Sequence, residues 1–193
     1  MDKSAFIKTL EKGNNKLENR NLLINSCLKD PTLISILLQN MRAVDDKNST
    51  FSARILELTC KEKLDCIIPY FDPFTELLRN LKLEGSIRSS AKICELVIIV
   101  FFSTKNIYFK NKITEKQHKK IIEASFDWMI GTQKTAVKAY SMQTLYLLGT
   151  LYDWIHPELV LIIEKNIPKA SVGFANRGRK VIKAIQTGMK LKL

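Results

Sequence analysis

Two Asp–Trp pairs are the residues of this sequence whose types and spacing come closest to a chemical site. Asp127–Trp128 lies in SFDWMIG, and Asp153–Trp154 lies in YDWIHPEL. A carboxylate beside an aromatic ring can stabilise a cationic base or sugar, through its charge and through the face of the ring. The simpler interpretation is that both tryptophans fill a core, while the aspartates cap helices or pair with basic residues.

No other arrangement in the sequence points to catalysis. The two histidines, His118 and His156, lack the spaced carboxylate or cysteine partners that a metal site needs. The sequence contains neither a glycine-rich phosphate loop nor a nucleophile elbow. The four cysteines show no C-x-x-C pair, and each lies among apolar residues, which is typical of a buried free thiol. The sequence therefore predicts no catalytic residue, no metal site and no cofactor.

Positive charge is concentrated in two segments of the chain. The 193 residues carry a formal net charge of +12. Residues 105–120 contain six lysines and one glutamate, while residues 165–193 contain eight lysines or arginines and no acid. Such segments favour an anionic partner, either nucleic acid or an acidic protein surface. The alternative is a solvated basic face without a partner.

The elements that position these residues are predicted to be helices, because apolar residues follow helical spacing nearly everywhere. Glycines (7) and prolines (5) are too few for the turns of an all-β fold. The predicted helices cover residues 2–12, 15–29, 31–44, 49–63, 71–83, 86–103, 115–130, 134–152, 156–166 and 171–187. Most connections are short, so neighbouring helices are predicted to run antiparallel. One long gap, residues 104–114, is basic.

Local signals mark several predicted helix ends. Asp–Pro or His–Pro pairs at residues 30–31, 72–73 and 156–157 are predicted to mark helix starts, since aspartate is a good N-cap and proline is tolerated at the first helical position. Residues 48–50 predict another start, and Thr114-x-x-Gln117 predicts a capping box. Left-handed turns between helices are predicted at Gly13, Gly85 and Gly131.

A short motif recurs along the chain. SARILEL at 52–58 and SAKICEL at 90–96 agree at five of seven positions. VKAYSMQTL at 137–145 and FANRGRKVI at 174–182 extend the pattern. The same position holds a small residue in each copy, namely Ala53, Ala91, Ser141 and Gly178. A small residue there allows two helices to approach closely, and the recurrence predicts a repeat protein.

This motif of an apolar residue, a basic residue, a small residue and then leucines resembles the second helix of HEAT repeats. AVKAYSMQTLYLLG at 136–149 and SIRSSAKICEL at 86–96 carry the resemblance best. It covers most of the chain. The resemblance implies an α-solenoid of about five antiparallel helix pairs, forming one domain over residues 1–193.

Basic residues recur within the repeated motif. Arg54, Lys92 and Arg179 share one position, and Arg88 and Lys138 share another. The second helices of HEAT pairs line the concave face of the stack. These cations would therefore either form a positive stripe along a phosphate backbone or pair with acids of the stack itself.

Acids close in sequence distinguish two groups of these cations. For Arg54 and Arg88 we predict a ladder of internal ion pairs, with acids such as Asp46, Glu57 and Glu95 as partners. The carboxyl-terminal cations have no acid nearby in the sequence. A binding role is predicted for these cations, which are Arg177, Arg179, Lys180 and Lys183.

The DNA alkylation-repair glycosylases of the helical-repeat class are also similar, at the level of the fold. They stack HEAT-like pairs and bind DNA on a basic concave face, with tryptophans and an acid around the lesion. The resemblance implies a site made by Asp127, Trp128, Asp153 and Trp154. The acid of that family follows a tryptophan by about one turn, a position that Thr132 and Glu158 occupy here.

The leading hypothesis from the sequence is a non-catalytic binding module with a concave face and a basic carboxyl-terminal repeat. Its partner would be a protein segment or an anionic polymer. The alternative hypothesis is a nucleic-acid-binding protein of the alkylation-repair type. A third hypothesis is a purely structural subunit of a larger assembly. The first 16 residues lack the apolar stretch of a secretory signal, and no apolar run is long enough to span a membrane, so we expect a cytoplasmic location.

Overall fold

The computed structural model describes residues 1–13, 16–103 and 107–188, and every regular element within them is helical. The α-helices are α1 (Lys3–Glu11), α2 (Leu17–Lys29), α3 (Ile34–Met41), α4 (Lys47–Glu62), α5 (Phe71–Leu77), α6 (Glu84–Phe101), α7 (Ile107–Lys112), α8 (Glu115–Ile130), α9 (Thr135–Leu148), α10 (Ile155–Asn166) and α11 (Val172–Thr187). Segments of 3-10 helix precede α3 and α5 and follow α5 and α10. The all-α prediction is confirmed.

Several predicted helix boundaries are wrong. The long predicted gap contains α7, which Phe109 and Ile113 anchor to the core through long-range packing that a lysine-rich sequence does not reveal. The helix predicted over 71–83 ends at Leu77 and continues as a 3-10 turn. The helix predicted over 134–152 ends at Leu148. Parts of the predicted helices and basic segments lie outside the described residues, namely Asn15, Lys105, Lys190 and Lys192.

The predicted caps at Asp30 and Thr114 are confirmed, because each side chain accepts a hydrogen bond from the backbone of the helical turn that follows it. Thr114 Oγ1 accepts from the Gln117 amide at 3.3 Å, and Gln117 Oε1 accepts from the Thr114 amide at 2.9 Å, which completes the capping box. Asp30 accepts from the Thr32 amide at 3.1 Å. Asp46, one residue before α4, is the cap of that helix, in place of residues 48–50.

The pairs at residues 72–73 and 156–157 mark helix starts as predicted, but Asp72 lies inside the first turn of α5 and does not cap that helix. The prediction of left-handed turns is wrong at two of the three glycines. Gly85 and Gly131 have ordinary backbone angles, whereas Gly13 has a φ of +56°. A Cβ on Gly85 would lie 2.3 Å from Thr50 Cγ2, so this glycine allows α4 and α6 to approach closely.

Four helices form a side-by-side row, in which α4 packs on α6, α6 on α9, and α9 on α11. Hydrogen bonds join the starts of α4 and α6 (Ser49 to Ser86, 3.2 Å) and of α9 and α11 (Thr135 to Ser171, 2.8 Å). The Lys134 amide at the start of α9 donates to Glu84 at the start of α6 (3.1 Å), so all four helices begin at the same end of the row. Helices α3, α8 and α10 pack against members of this row. The buried apolar side chains form one continuous cluster from Phe6 to Ala184.

The repeated small residues are all buried, as close helix packing requires. Gly178 is the most constrained, because a Cβ there would lie 2.5 Å from Cγ2 of Ile163 on α10. Within the described ranges, no helix has the length and apolar content needed to cross a bilayer.

We expect Gly178→Ala to lower the free energy of unfolding, although alanine is the better helix former by about 1 kcal/mol. The methyl group would overpack the α10–α11 contact at a cost of about 1–3 kcal/mol. Gly173→Ala is the matched control on the same helix, since its Cβ would lie 3.6 Å from Thr135 and should not destabilise. Urea denaturation measures both. Equal stability of the two variants would contradict the close contact.

Candidate functional site

A buried carboxylate organises the basic residues of α4. Glu57 has a side chain that is 1% exposed, and Arg54 and Lys61 donate to its two oxygens at 2.7 and 2.6 Å. The Ser89 hydroxyl of α6 donates to the same carboxylate at 2.9 Å. Burial acts to raise the pKa of Glu57, but the hydrogen bonds from Lys61, Arg54 and Ser89 outweigh burial and hold that pKa below its ordinary value.

A second set of interactions continues the pattern from α6 to α11. Lys92 donates to Glu95 at 2.6 Å and lies over the Tyr140 ring, with its Nζ 4.8 Å from the ring centroid. Arg177 Nη2 lies 4.0 Å from Glu95 Oε1 and donates to Gln143 Oε1 at 2.6 Å. These cations serve the contacts between neighbouring helices.

The ladder hypothesis is therefore right for some residues and wrong for others. Arg54 forms the internal ion pair that it predicts. Arg88 is exposed and forms no ion pair with any described residue. Asp46 caps α4 and pairs with no described cation. Arg177, for which no nearby acid was expected, reaches Glu95 because α11 packs on the row of helices, which brings residues 82 positions apart together.

The remaining carboxyl-terminal cations face solvent on α11. Arg179, Lys180 and Lys183 are exposed, and none takes part in an ion pair within the described part of the chain. Arg179 makes a long hydrogen bond of 3.5 Å to the Asn176 side chain. The buried stripe of α11 contains Phe174, Ala175, Gly178, Val181 and Ala184. Helical spacing thus separates an apolar face from a cationic one.

A basic cavity lies between the start of α9 and the connection from α10 to α11. Its volume is about 240 Å³. The residues that line it are Gln133, Lys134, Thr135, Lys138, Asn166, Lys169, Ala170, Ser171 and Phe174. Three of these are lysines and none is an acid. We call this space the α9–α11 cavity.

Hydrogen bonds hold the walls of the α9–α11 cavity in place. The hydroxyls of Thr135 and Ser171 are 2.8 Å apart, and Ser171 also accepts from the Phe174 amide at 3.3 Å. The Lys134 backbone amide donates to Glu84 Oε1 at 3.1 Å. Glu84 itself is not one of the lining residues. Gln133 Oε1 is buried and has no hydrogen-bond partner among the described residues. The three lysines offer charged donors to the oxygens of an anion, whereas Gln133 Oε1 is an acceptor and would pair only with a donor.

Sequence reasoning identified Lys138 but missed Lys134 and Lys169, which complete the cavity. The spacing of Lys134 and Lys138 by four residues places both on one face of a helix start, a signal that was present. Lys169 lies 31 residues further along the chain than Lys138. Only the packing of α11 on α9 brings it to the same space.

The two Asp–Trp pairs are placed differently from each other. Trp128 is 4% exposed and belongs to the core, while Asp127 beside it is exposed. Trp154 is 55% exposed, contrary to the interpretation that both tryptophans fill the core, and Asp153 is exposed as well. Trp154 precedes α10 and Asn166 ends it, so about 18 Å of helix separates the indole from the α9–α11 cavity.

The two histidines have hydrogen-bond partners within the fold, and the four cysteines are free and buried. His118 is buried, and its Nδ1 lies 3.1 Å from the Tyr152 hydroxyl; burial lowers its pKa. His156 Nε2 lies 2.8 Å from the Tyr146 carbonyl oxygen. Burial raises the pKa of the Cys27 thiol to about 12, which makes it a poor nucleophile. Across the described residues, no three His, Cys, Asp or Glu side chains are grouped closely enough to hold a metal ion.

Comparison with known proteins adds no relative to this description. No protein-family model, no curated protein and no solved structure matches the chain.

Proposed function

We propose that the chain is a non-catalytic helical-repeat module that binds an anionic polymer through α9–α11, with the phosphate backbone of a nucleic acid as the favoured ligand. In this proposal the row of α4, α6, α9 and α11, with its packed neighbours, is a HEAT-like solenoid of about five helix pairs. The parallel orientation of the row and the buried small residues support that architecture.

The observation that carries the proposal is that no acid is among the described residues that line the α9–α11 cavity. Its lining offers three ammonium groups to an anion and no carboxylate. By contrast, Arg54 of α4 and Lys92 of α6 already form ion pairs with Glu57 and Glu95. The exposed α11 residues Arg179, Lys180 and Lys183 extend the positive surface. A polyanion would gain counterion-release energy over this whole surface.

The test is binding of a fluorescently labelled 20-base-pair DNA duplex and a 20-nucleotide RNA at two salt concentrations. If about six cations contact phosphates, affinity for the duplex should fall by about 10³-fold between 50 and 200 mM salt. Polyglutamate of similar length is the control for generic polyanion binding. Absence of binding to both nucleic acids at 50 mM salt would exclude the nucleic-acid form of the proposal.

Base excision of the alkylation-repair type is the second candidate function, favoured by the exposed Trp154 beside Asp153. The separation of Trp154 from the α9–α11 cavity, along the whole length of α10, favours the binding module instead. The assay is release of free base from alkylated duplex DNA, with Asp153→Asn as the comparison. Release that this variant abolishes would establish the second candidate over the first.

A further inference from the structure

Trp154 is the centre of an exposed apolar surface formed by α8 and α10. Its indole stacks on the Phe126 ring of α8, with ring centroids 5.7 Å apart and an interplanar angle of 24°. The stack holds the indole in one orientation while leaving the residue 55% exposed. A tryptophan fixed in this way loses little side-chain entropy when a partner covers it.

Two further apolar side chains extend this surface along their helices. Ile130 lies one turn after Phe126 on α8 and is 67% exposed. Leu161 lies two turns after Trp154 on α10 and is 61% exposed. Helical spacing places each on the same face as its aromatic neighbour, and the ring stack joins the two faces. We call Phe126, Ile130, Trp154 and Leu161 the Trp154 patch.

Acids lie beside or one helical turn from residues of the Trp154 patch, in a protein that is otherwise strongly basic. Residues 121–133 and 150–164, which carry the patch, contain no lysine or arginine. Their five acids are Glu123, Asp127, Asp153, Glu158 and Glu164. None of these takes part in an ion pair within the ranges that the structure describes. Glu123 also lines a pocket with Arg79, Lys116, Lys119 and Lys120, and Lys165 lies one turn after Leu161. The negative charge next to the indole therefore comes from Asp127, Asp153 and Glu158, which are exposed.

We propose that the Trp154 patch binds a segment of a partner polypeptide that carries lysines or arginines beside apolar side chains. The exposed indole is the type of residue that dominates protein interfaces, and it offers its face to a cation. The surrounding carboxylates steer a cationic segment to the patch and disfavour nucleic acid and anionic lipid. This proposal does not depend on nucleic-acid binding by α9–α11.

The first test is selection from a display library of random 16-residue peptides on the full chain, without nucleic acid. We expect enriched sequences to combine Lys or Arg with Leu, Ile, Phe or Met. Enrichment should disappear when the same selection uses Trp154→Ala as bait. Enrichment of acidic sequences, enrichment that survives Trp154→Ala, or no enrichment at all would each overturn the proposal.

The second test measures affinity of one enriched peptide for purified variants by fluorescence polarisation. Trp154→Ala should weaken binding at least about tenfold, since interface tryptophans are common hot spots. The charge-reversal variant Asp153→Lys, Glu158→Lys should also bind the peptide more weakly than the unmodified chain does. Its loss of affinity should be larger at low salt, where charges are screened less. Leu17→Ala on α2 is the control, because Leu17 is also 61% exposed but lies outside the patch. If Trp154→Ala loses no more peptide affinity than Leu17→Ala does, the proposal is overturned.

Light scattering on the free chain tests the competing occupant, a second copy. A monomer at micromolar concentration leaves the patch open for a partner and supports the proposal. Concentration-dependent dimerisation that Trp154→Ala removes would show that another copy covers the patch, and would overturn it.

Discussion

Replacing Lys134, Lys138 and Lys169 by glutamine should reduce affinity for duplex DNA about 100-fold or more at 0.1 M salt. These are the three ammonium groups of the α9–α11 cavity. Each phosphate contact contributes about 0.9 to the slope of log affinity against log salt, so the variant should lose nearly three units of slope. Fluorescence anisotropy titrations over a series of salt concentrations measure both quantities.

The control for this variant removes the same charge elsewhere. Lys8, Lys12 and Lys29 are exposed on or beside α1 and α2, and their replacement by glutamine gives the same net charge. The slope of this control should stay close to that of the unmodified chain. If both variants lose affinity equally, binding depends on net charge alone and the α9–α11 cavity is not the site.

Replacing Arg54 and Lys61 together by alanine should lower the free energy of unfolding by about 3–5 kcal/mol at pH 7. Both cations donate to Glu57, whose side chain is 1% exposed. Without them the Ser89 hydroxyl is the one remaining donor to this buried carboxylate among the described residues. Lys82→Ala is the control, because its ion pair with Asp45 is exposed and should contribute less than about 1 kcal/mol.

The stabilities of the unmodified chain and of the Arg54→Ala, Lys61→Ala double variant should also change with pH in opposite directions. In the unmodified chain the pKa of Glu57 lies below its ordinary value of 4.5, so its contribution to stability is complete above that pH and declines as pH falls through the folded-state pKa. In the double variant burial acts almost alone and raises that pKa, so acid should relieve the penalty. Stability curves from urea denaturation should converge from pH 7 to pH 4. Parallel curves would show that Glu57 is not the group responsible.

The features that the sequence by itself determined are those that depend on neighbours within one or two helical turns. Apolar spacing predicted an all-α fold because each helix needs only one buried face. The capping box of Thr114 and Gln117 and the pair of Arg54 and Glu57 join residues three apart. Their geometry follows from the helix alone, so the pattern was sufficient.

Contacts between helices were decided only by the tertiary structure. The same dipeptide, Asp–Trp, has a buried indole at Trp128 and an exposed one at Trp154, because burial depends on which helix lies opposite. Arg177 was expected to face a ligand but meets Glu95 of α6. Lys134 and Lys169 meet at one cavity although 35 positions separate them. Helical periodicity specifies which face of a helix is apolar, whereas packing angles and neighbours come from the whole chain.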